Sequence, residues 1–204
     1  MIIVKKLLRK VARVVVRGAI FIYCKIVYRL KVVGLENIPK SGAVIFCGNH
    51  RNFLDAPLVE ITCKRDDATF LAKEELTKNF FLKLLGYVFD VILVKRNDKD
   101  LGPMKESLKT LKQGKSIALF PEGTRNGLKK GIKPKTGAAY FALNSDAVLI
   151  PVGIKGGEKP FQKATITYGK PINIDEYKDK EKRKEKETAE IVTTKIMDNI
   201  IKLI

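Results

Sequence analysis

Histidine and cysteine are scarce in this chain of 204 residues, and their scarcity limits the chemistry that it can perform. His50 is the single histidine, and no cluster of carboxylates accompanies it, so a metal site is not predicted. The cysteines Cys24, Cys47 and Cys63 are odd in number, lie in apolar stretches and show no C-x-x-C spacing. We therefore predict reduced thiols in a cytosolic setting rather than disulfides or zinc ligands.

Acidic residues are absent from residues 1–31, which nevertheless contain nine lysines and arginines. Four of these bases recur at every fourth position: Lys5, Arg9, Arg13 and Arg17. That spacing predicts one basic face on a helix of about 26 residues, and bulky aliphatic residues supply its apolar surface. The longest uncharged run in the second half, residues 18–24, is too short to cross a bilayer.

Residues 1–31 are therefore predicted to form a basic amphipathic segment that docks on a membrane, with its bases on anionic headgroups. The alternative is a helix that packs on its own domain and leaves a solvated basic face. A secretory signal is not expected, because arginine interrupts the apolar stretch and no small-residue cleavage site follows.

The composition of the whole chain is that of a globular protein with a basic surface. Hydrophobic residues make up 45% and charged residues 30%, which excludes a disordered polyelectrolyte. At 22.9 kDa the chain has room for one domain with a substantial core. The net charge of +18 suits an anionic partner, whether nucleic acid, a membrane surface or a phosphorylated substrate.

Apolar runs alternate with helical periodicity from residue 30 onwards. The predicted strands are residues 31–33, 43–47, 68–72, 88–94, 116–120, 148–154 and 165–168. The predicted helices begin at residues 55, 79, 101 and 136, and a last helix places Ile191, Val192, Ile196, Ile200 and Leu203 on one side. This alternation predicts an α/β fold with a mainly parallel or mixed sheet flanked by helices. We assign residues 32–204 to that domain and residues 1–31 to the preceding helical segment.

The stretch from Gly48 to Asp55 joins a buried strand to a helix and contains the histidine. Asp55 fits the N-cap of that helix, and Pro57 fits its first turn. The turn can fold the Asp55 carboxylate onto the His50 imidazole, which would then take a proton from a substrate hydroxyl. The alternative is an ordinary histidine near a helix-capping aspartate.

Other strands in the sequence also end in polar or charged residues. Lys73 ends one predicted strand, Arg96 follows another, and Glu122 and Arg125 follow a third. In a doubly wound sheet these ends lie on one edge, where ligands bind. Arginine and lysine suit a phosphate, so the set predicts activation of a hydroxyl on a small phosphorylated compound.

Several of these residues stand in motifs of a known family. Asn49-His50 through Asp55 reads N-H-x-x-x-x-D, and Phe120 through Arg125 reads F-P-E-G-T-R. The run from Gly86 to Arg96 and the triplet Ile150-Pro151-Val152 match two further motifs in the same order. The chain thus resembles the glycerolipid acyltransferases that acylate lysophosphatidic acid (1-acyl-sn-glycerol-3-phosphate), in their short bacterial form.

The resemblance implies a reaction and a role for each motif residue. His50, oriented by Asp55, would deprotonate the sn-2 hydroxyl, which attacks the thioester of acyl-CoA or acyl-carrier protein to give phosphatidic acid. Acyl-CoA or acyl-carrier protein is the co-substrate, and no cofactor is required. The predicted substrate-binding residues are Lys73, Arg96, Glu122, Gly123, Thr124 and Arg125.

Among these residues, Arg125 with Lys73 and Arg96 would hold the acceptor phosphate. Glu122 would orient Arg125 or the glycerol, and the backbone amide of Gly123 would face the oxyanion. The implied partners are lysophosphatidic acid, the acyl donor and a membrane surface with anionic lipid. The implied location is the cytoplasmic face of the membrane, where the protein is peripheral or monotopic.

Competing hypotheses stay open at this stage. The acceptor could be glycerol-3-phosphate or another lysolipid, and Cys47 could act as a nucleophile in a two-step route. A noncatalytic basic protein that binds membranes or nucleic acid is the remaining class. Nucleic acid is not expected, because the basic N-terminal segment has few aromatic residues and its bases follow one helix face beside bulky aliphatics.

Overall fold

The computed structural model describes residues 2–94, 101–179 and 184–204. Within these ranges the strands are β1 (Lys31–Val33), β2 (Val44–Gly48), β3 (Ala68–Lys73), β4 (Ile92–Val94), β5 (Ser116–Leu119), β6 (Val148–Gly156) and β7 (Ala164–Tyr168). The helices are α1 (Ile2–Val27), α2 (Asp55–Thr62), α3 (Phe80–Val88), α4 (Gly102–Lys112), α5 (Gly137–Leu143) and α6 (Glu185–Ile201).

The strands of the described residues form one seven-stranded sheet in the order β1-β7-β6-β2-β5-β3-β4. β6 and β7 pair antiparallel, whereas the other neighbouring strands pair parallel, so the prediction of an α/β fold with a mainly parallel or mixed sheet is confirmed. Because β2, β5, β3 and β4 run in one direction, their carboxyl ends meet at one edge of the sheet. The loops after these ends can therefore build a common site.

Helices cover both faces of the sheet, and the central strand β2 shows how. Successive residues of a strand point to opposite faces. Ile45 and Cys47 pack in one core cluster with α5 and α6, while Val44 and Phe46 pack in the other with α1 and α2. Such two-sided burial explains why β2 reads as a continuous apolar run in the sequence.

Two predicted elements near the second motif differ from the structure. The helix predicted to begin at residue 79 continues to Val88, into the strand that was expected over residues 88–94, and β4 begins only at Ile92. The chain reverses at Asp90, whose φ of 53° lies in the left-handed region that aspartate tolerates better than most residues. The N–H of Val91 then donates to the carbonyl of Gly86 at 2.9 Å and closes the turn.

Most of the predicted apolar side of the C-terminal helix α6 is confirmed. Val192, Ile196 and Ile200 are fully buried against the sheet, at the expected helical spacing. Ile191 was also assigned to that side, but it is 45% exposed, because a residue adjacent to Val192 points about 100° away from it. Leu203 follows the end of the helix rather than lying within it.

Helix α1 turns its arginines toward the domain rather than away from it. Arg13 donates from Nε and Nη2 to the Oε1 of Glu60 on α2, at 3.1 and 2.9 Å. Arg17 donates to the carbonyl of Arg65 and to Asp66, at 3.0 and 2.8 Å. The expectation that these bases lie on anionic headgroups is thus wrong for Arg13 and Arg17, because both are committed to partners on the domain.

Arg9 follows the same orientation, since it pairs with Asp90 at 2.5 Å and lies over the ring of Tyr87. The side chain of Lys5 lies outside the described part of the structure. The opposite side of α1 carries apolar residues that are 50–67% exposed: Val4, Leu7, Leu8, Val11, Val14, Val15, Ile22, Tyr23 and Ile26. None of the helices in the described ranges combines the length and the hydropathy that a bilayer-spanning segment needs.

The Arg13–Glu60 pair yields a stability prediction, because Glu60 is only 1% exposed and burial raises the pKa of its carboxyl against the opposing pull of Arg17 and Arg13. Arg13→Met keeps the apolar stem but leaves the buried carboxylate with Arg17 alone. We expect it to lower the free energy of unfolding by about 3 kcal/mol in urea denaturation. Arg9→Met is the matched control, and its exposed pair should contribute at most about 1 kcal/mol.

A double variant separates the pair from general damage to the helix. Adding Glu60→Leu to Arg13→Met removes the buried carboxylate that has lost one of its two arginines and should recover most of the lost stability, since apolar replacement of a buried pair is often neutral. Equal unfolding free energies for Arg13→Met and Arg9→Met would show that the pair does not hold α1 on the domain.

Candidate active site

His50 and Asp55 form a hydrogen-bonded pair between β2 and α2. Asp55 is fully buried, and its Oδ2 lies 2.8 Å from the Nδ1 of His50. The same oxygen accepts the backbone N–H groups of Arg51 and Asn52, the latter at 2.7 Å. A carboxylate at Nδ1 favours the tautomer with the proton on that nitrogen, so the lone pair of Nε2 is left to accept a proton.

Asp55 does not cap α2 as expected. Leu54 occupies the cap position without a side-chain bond, and Asp55 is the first helical residue. Its carboxylate folds back over the preceding turn, where it binds the imidazole and two backbone amides. The turn is stabilised further by Asn52, whose Oδ1 accepts the N–H of Leu54 at 2.7 Å.

Asn49 holds the loop that presents His50 to the edge of the sheet. Its buried amide donates to the carbonyl of Ile154 at 2.9 Å and accepts the N–H of the same residue at 2.7 Å. Because Ile154 lies on β6, these two hydrogen bonds fix Asn49, the first residue after β2, to the neighbouring strand. The sequence analysis included Asn49 in a motif but assigned it no role. An amide side chain directly after a buried strand was the signal that could have indicated this structural function.

Phe120 supports the imidazole from the other side. Its ring stacks on His50 with the centroids 4.5 Å apart and the planes at 26°. A Cβ on Gly48 would lie 3.2 Å from the Phe120 ring, so glycine at that position makes room for the stack. The aromatic residue of the F-P-E-G-T-R motif thus positions the candidate base, a role that the sequence did not reveal.

Glu122 does not occupy the predicted position of a substrate or arginine ligand. It is 2% exposed, and its Oε1 accepts the backbone N–H of His50 at 2.6 Å. Its Oε2 accepts the N–H of Leu128 at 2.8 Å. A buried carboxylate needs such partners, and here they come from the backbone of two loops. Glu122 therefore joins the His50 loop to the segment after β5.

Gly123 also differs from its predicted role. Its φ of +63° lies in the left-handed region, which glycine adopts without strain. The N–H of Gly123 donates to the carbonyl of Phe120 at 2.9 Å, so this amide is engaged within the turn and does not face an oxyanion. A Cβ on Gly123 would lie 2.7 Å from the Cε of Lys135, whose stem crosses the glycine.

Two of the three predicted phosphate ligands, Arg125 and Lys73, lie at the same edge of the sheet. Arg125 and Lys73 are exposed, and neither side chain has a hydrogen bond or ion pair to the residues that the structure describes. The loop with Thr124 and Arg125 is tied to the base, because the N–H of Asn126 donates to the carbonyl of His50 at 2.6 Å. Lys73 ends β3, the neighbour of β5. Arg96 lies outside the described residues.

A cavity of about 320 Å³ opens beside the carboxyl end of β5. Its walls are mainly apolar and include Leu71, Met104, Leu119, Ala138 and Phe141. Phe120 and Lys135 also line it, so the cavity adjoins both the ring that stacks on His50 and the F-P-E-G-T-R loop. Such a lining suits an apolar ligand with a polar end.

Cys47 lies close to His50 in the sequence but is fully buried in the core. Burial alone raises the pKa of its thiol far above the ordinary value, so thiolate, the nucleophilic form, is not accessible. The structure therefore argues against the two-step route through Cys47.

The described ranges also contain no group of three or more residues suited to hold a metal ion, and the expectation of a metal-free site stays a prediction.

Comparison with known proteins relates the chain to a family. Residues 29–155 match the family model described as Acyltransferase. A 1-acyl-sn-glycerol-3-phosphate acyltransferase of Borreliella burgdorferi is 34% identical over 140 residues, which is 68% of this chain and 56% of that protein. A probable 1-acyl-sn-glycerol-3-phosphate acyltransferase of Mycoplasma pneumoniae is 31% identical over 170 residues, 78% of this chain and 62% of that protein.

The chain thus spans about three fifths of the length of these two relatives. The fold is similar to that of the crystal structure of the 1-acyl-sn-glycerophosphate acyltransferase from Thermotoga maritima, with a TM-score of 0.59 and 23% identity. That similarity covers 85% of this chain and 72% of the other. Since the family match extends over more than half of the sequence and includes both the His50–Asp55 and the Phe120–Arg125 motifs, the chain belongs to the acyltransferase family.

Proposed function

We propose that this chain transfers an acyl group from a thioester to the sn-2 hydroxyl of 1-acyl-sn-glycerol-3-phosphate. The products are phosphatidic acid and a free thiol. The observation that carries the proposal is the His50–Asp55 pair, in which a buried carboxylate holds Nδ1 at 2.8 Å and leaves Nε2 to accept a proton. Family membership and the names of the relatives support this substrate class.

The mechanism needs one base that later acts as an acid. Nε2 of His50 accepts the proton of the sn-2 hydroxyl while that oxygen forms a bond to the thioester carbon. The C–S bond of the tetrahedral intermediate then breaks, and the departing sulfur takes the proton from Nε2. Asp55 keeps the imidazole oriented and stabilises its charge between these steps, as carboxylates do in catalytic triads.

The two ends of the site suit the two substrates. Arg125 and Lys73 present uncommitted charges for the phosphate of the acceptor, and arginine can bind it with two parallel N–H groups. The cavity beside Phe120 suits the acyl chain of the donor, because its lining is apolar. The donor would be acyl-CoA or acyl-carrier protein, and no cofactor takes part in this route.

An assay of the purified protein in liposomes tests the proposal. Lysophosphatidic acid is offered with acyl-CoA or acyl-carrier protein, and phosphatidic acid and released thiol are scored together. Equal amounts of both products support the proposed transfer. Thiol release with glycerol-3-phosphate or another lysolipid but not with lysophosphatidic acid would contradict the proposed acceptor. It would still support transfer of an acyl group from a thioester to a hydroxyl. Absence of thiol release with all acceptors would contradict the proposed activity.

A peripheral position on the cytoplasmic face of a membrane belongs to the same proposal, because the acceptor and the product are lipids. The apolar side of α1 supports it, since the arginines on the other side bind the domain and turn this surface outward. Phe80, Leu84 and Tyr87 on α3 add a second exposed stripe, and Arg9 of α1 contacts Tyr87. Lys10, Lys25 and Arg29 are exposed and available to anionic lipid.

Vesicle cosedimentation tests this surface. Replacing Leu8, Val11 and Val15 by serine removes apolar area from one side of α1, and we expect binding to weaken by about tenfold or more. Ile191→Ser with Ile201→Ser is the matched control, because these residues are similarly exposed on α6, across the sheet. Equal binding by both variants and the unchanged protein would exclude α1 as the membrane contact.

A further inference from the structure

The reaction proposed above places negative charge on the carbonyl oxygen of the thioester, and that charge needs a partner. The expected donor, the amide of Gly123, is already bonded to Phe120. We propose that Lys135 is the catalytic residue whose ammonium group stabilises this oxyanion. The inference rests on the proposed function and concerns a residue outside the N-H-x-x-x-x-D and F-P-E-G-T-R motifs.

The first support is the way in which Lys135 is held on the F-P-E-G-T-R loop. Its backbone N–H donates to the carbonyl of Pro121 at 2.7 Å. Its stem then crosses Gly123 so closely that a Cβ there would lie 3.3, 2.9 and 2.7 Å from Cγ, Cδ and Cε. The ammonium group is one bond beyond Cε. Lys135 is therefore attached to the loop at both its backbone and its stem, which limits the positions that its charge can take.

The second support is the cavity that Lys135 shares with Phe120. Both residues line it, and the Phe120 ring stacks on the imidazole of His50 at 4.5 Å. An acyl chain that occupies the apolar interior brings its thioester to the polar part of the lining. His50 itself is not part of the lining and adjoins the cavity through Phe120, so the inference places the thioester carbon between Nε2 of His50 and the ammonium group of Lys135, with its oxygen toward the lysine.

The third support is that the charge of Lys135 is not neutralised within the described ranges. Glu122, the nearest acid along this loop, accepts two backbone N–H groups with its two oxygens. Lys133, two residues earlier, is instead paired with Glu190 at 3.0 Å. Bound acyl chain would displace water from the cavity, and a fixed charge acts more strongly on a developing oxyanion where water is excluded.

The test compares Lys135→Met, which retains an unbranched apolar stem, with Lys130→Met, an exposed lysine of the same segment without these contacts. With saturating acyl-CoA and lysophosphatidic acid, Lys135→Met should lower kcat by about 10²–10³-fold, as the loss of an oxyanion donor does elsewhere. The KM values should change little, and Lys135→Arg should recover part of kcat. Lys130→Met should behave as the unchanged protein, and equal Tm values show that all variants are folded.

A truncated donor separates the oxyanion from the phosphates of the carrier. The acyl thioester of N-acetylcysteamine has no phosphate, so the loss of kcat in Lys135→Met should persist with it. A defect seen only with acyl-CoA and mainly in KM would show that Lys135 binds the carrier phosphates, and would overturn the inference. A folded Lys135→Met variant with nearly normal kcat would also overturn it. Failure of the unchanged protein to release thiol would instead overturn the proposed function, and the inference with it.

Discussion

Replacing His50 by alanine is expected to lower the rate of thiol release by about 10²–10⁴-fold, the usual contribution of a positioned general base. The imidazole is the group that can take the hydroxyl proton, and Asp55, Arg51 and Asn52 fix its environment. The backbone of His50 donates to Glu122 and accepts from Asn126, and alanine keeps both bonds. The variant should therefore keep its Tm while losing turnover.

Asp55→Asn is the companion variant in this experiment. Its amide oxygen can still accept the backbone N–H groups of Arg51 and Asn52, but the neutral side chain no longer stabilises a protonated imidazole, so kcat should fall less than in His50→Ala. Steady-state rates at saturating substrates measure both variants. Turnover close to normal in His50→Ala would remove the proposed base. A larger loss in Asp55→Asn than in His50→Ala would show that the buried carboxylate does more than orient the ring.

Replacing Arg125 by alanine is expected to raise the apparent KM for the lysophosphatidic acid acceptor by about 10²-fold, because a bidentate arginine–phosphate contact contributes a few kcal/mol in a shielded site. The KM for the acyl donor should change far less. Arg125 is exposed and has no side-chain partner in the described ranges, so its removal leaves no buried group unsatisfied. Initial rates with each substrate varied in turn give the two KM values.

Two further variants sharpen this measurement. Arg125→Lys restores the charge but not the fork of N–H groups, so it should recover only part of the affinity. Lys129→Ala removes an exposed charge from the same loop and should leave both KM values within about twofold, since scattered surface charges contribute little. Equal increases in both KM values for Arg125→Ala would indicate a structural arginine and move the phosphate site elsewhere.

The sequence by itself determined the parts of this protein that depend on local order. An apolar run, a turn and a helix start place His50 and Asp55 within one loop, so their contact required no distant residue. The alternation of strands and helices likewise predicted a mainly parallel or mixed α/β sheet, and the polar residues at the ends of β2, β3 and β5 were predicted to share one edge of it. These inferences held because each rests on short-range periodicity and on the shared direction of parallel strands.

Only the tertiary structure decided which way α1 faces and which groups remain available at the site. A basic stripe has the same spacing whether it meets lipid or acids, and the partner of Arg13 is a glutamate 47 positions away. Glu122 and Gly123 were assigned to the substrate from their motif, but their bonds to His50 and Phe120 follow from how two loops meet. Hydrogen-bond partners that are distant in the chain leave no periodic signal, so the sequence could name these residues but not their contacts.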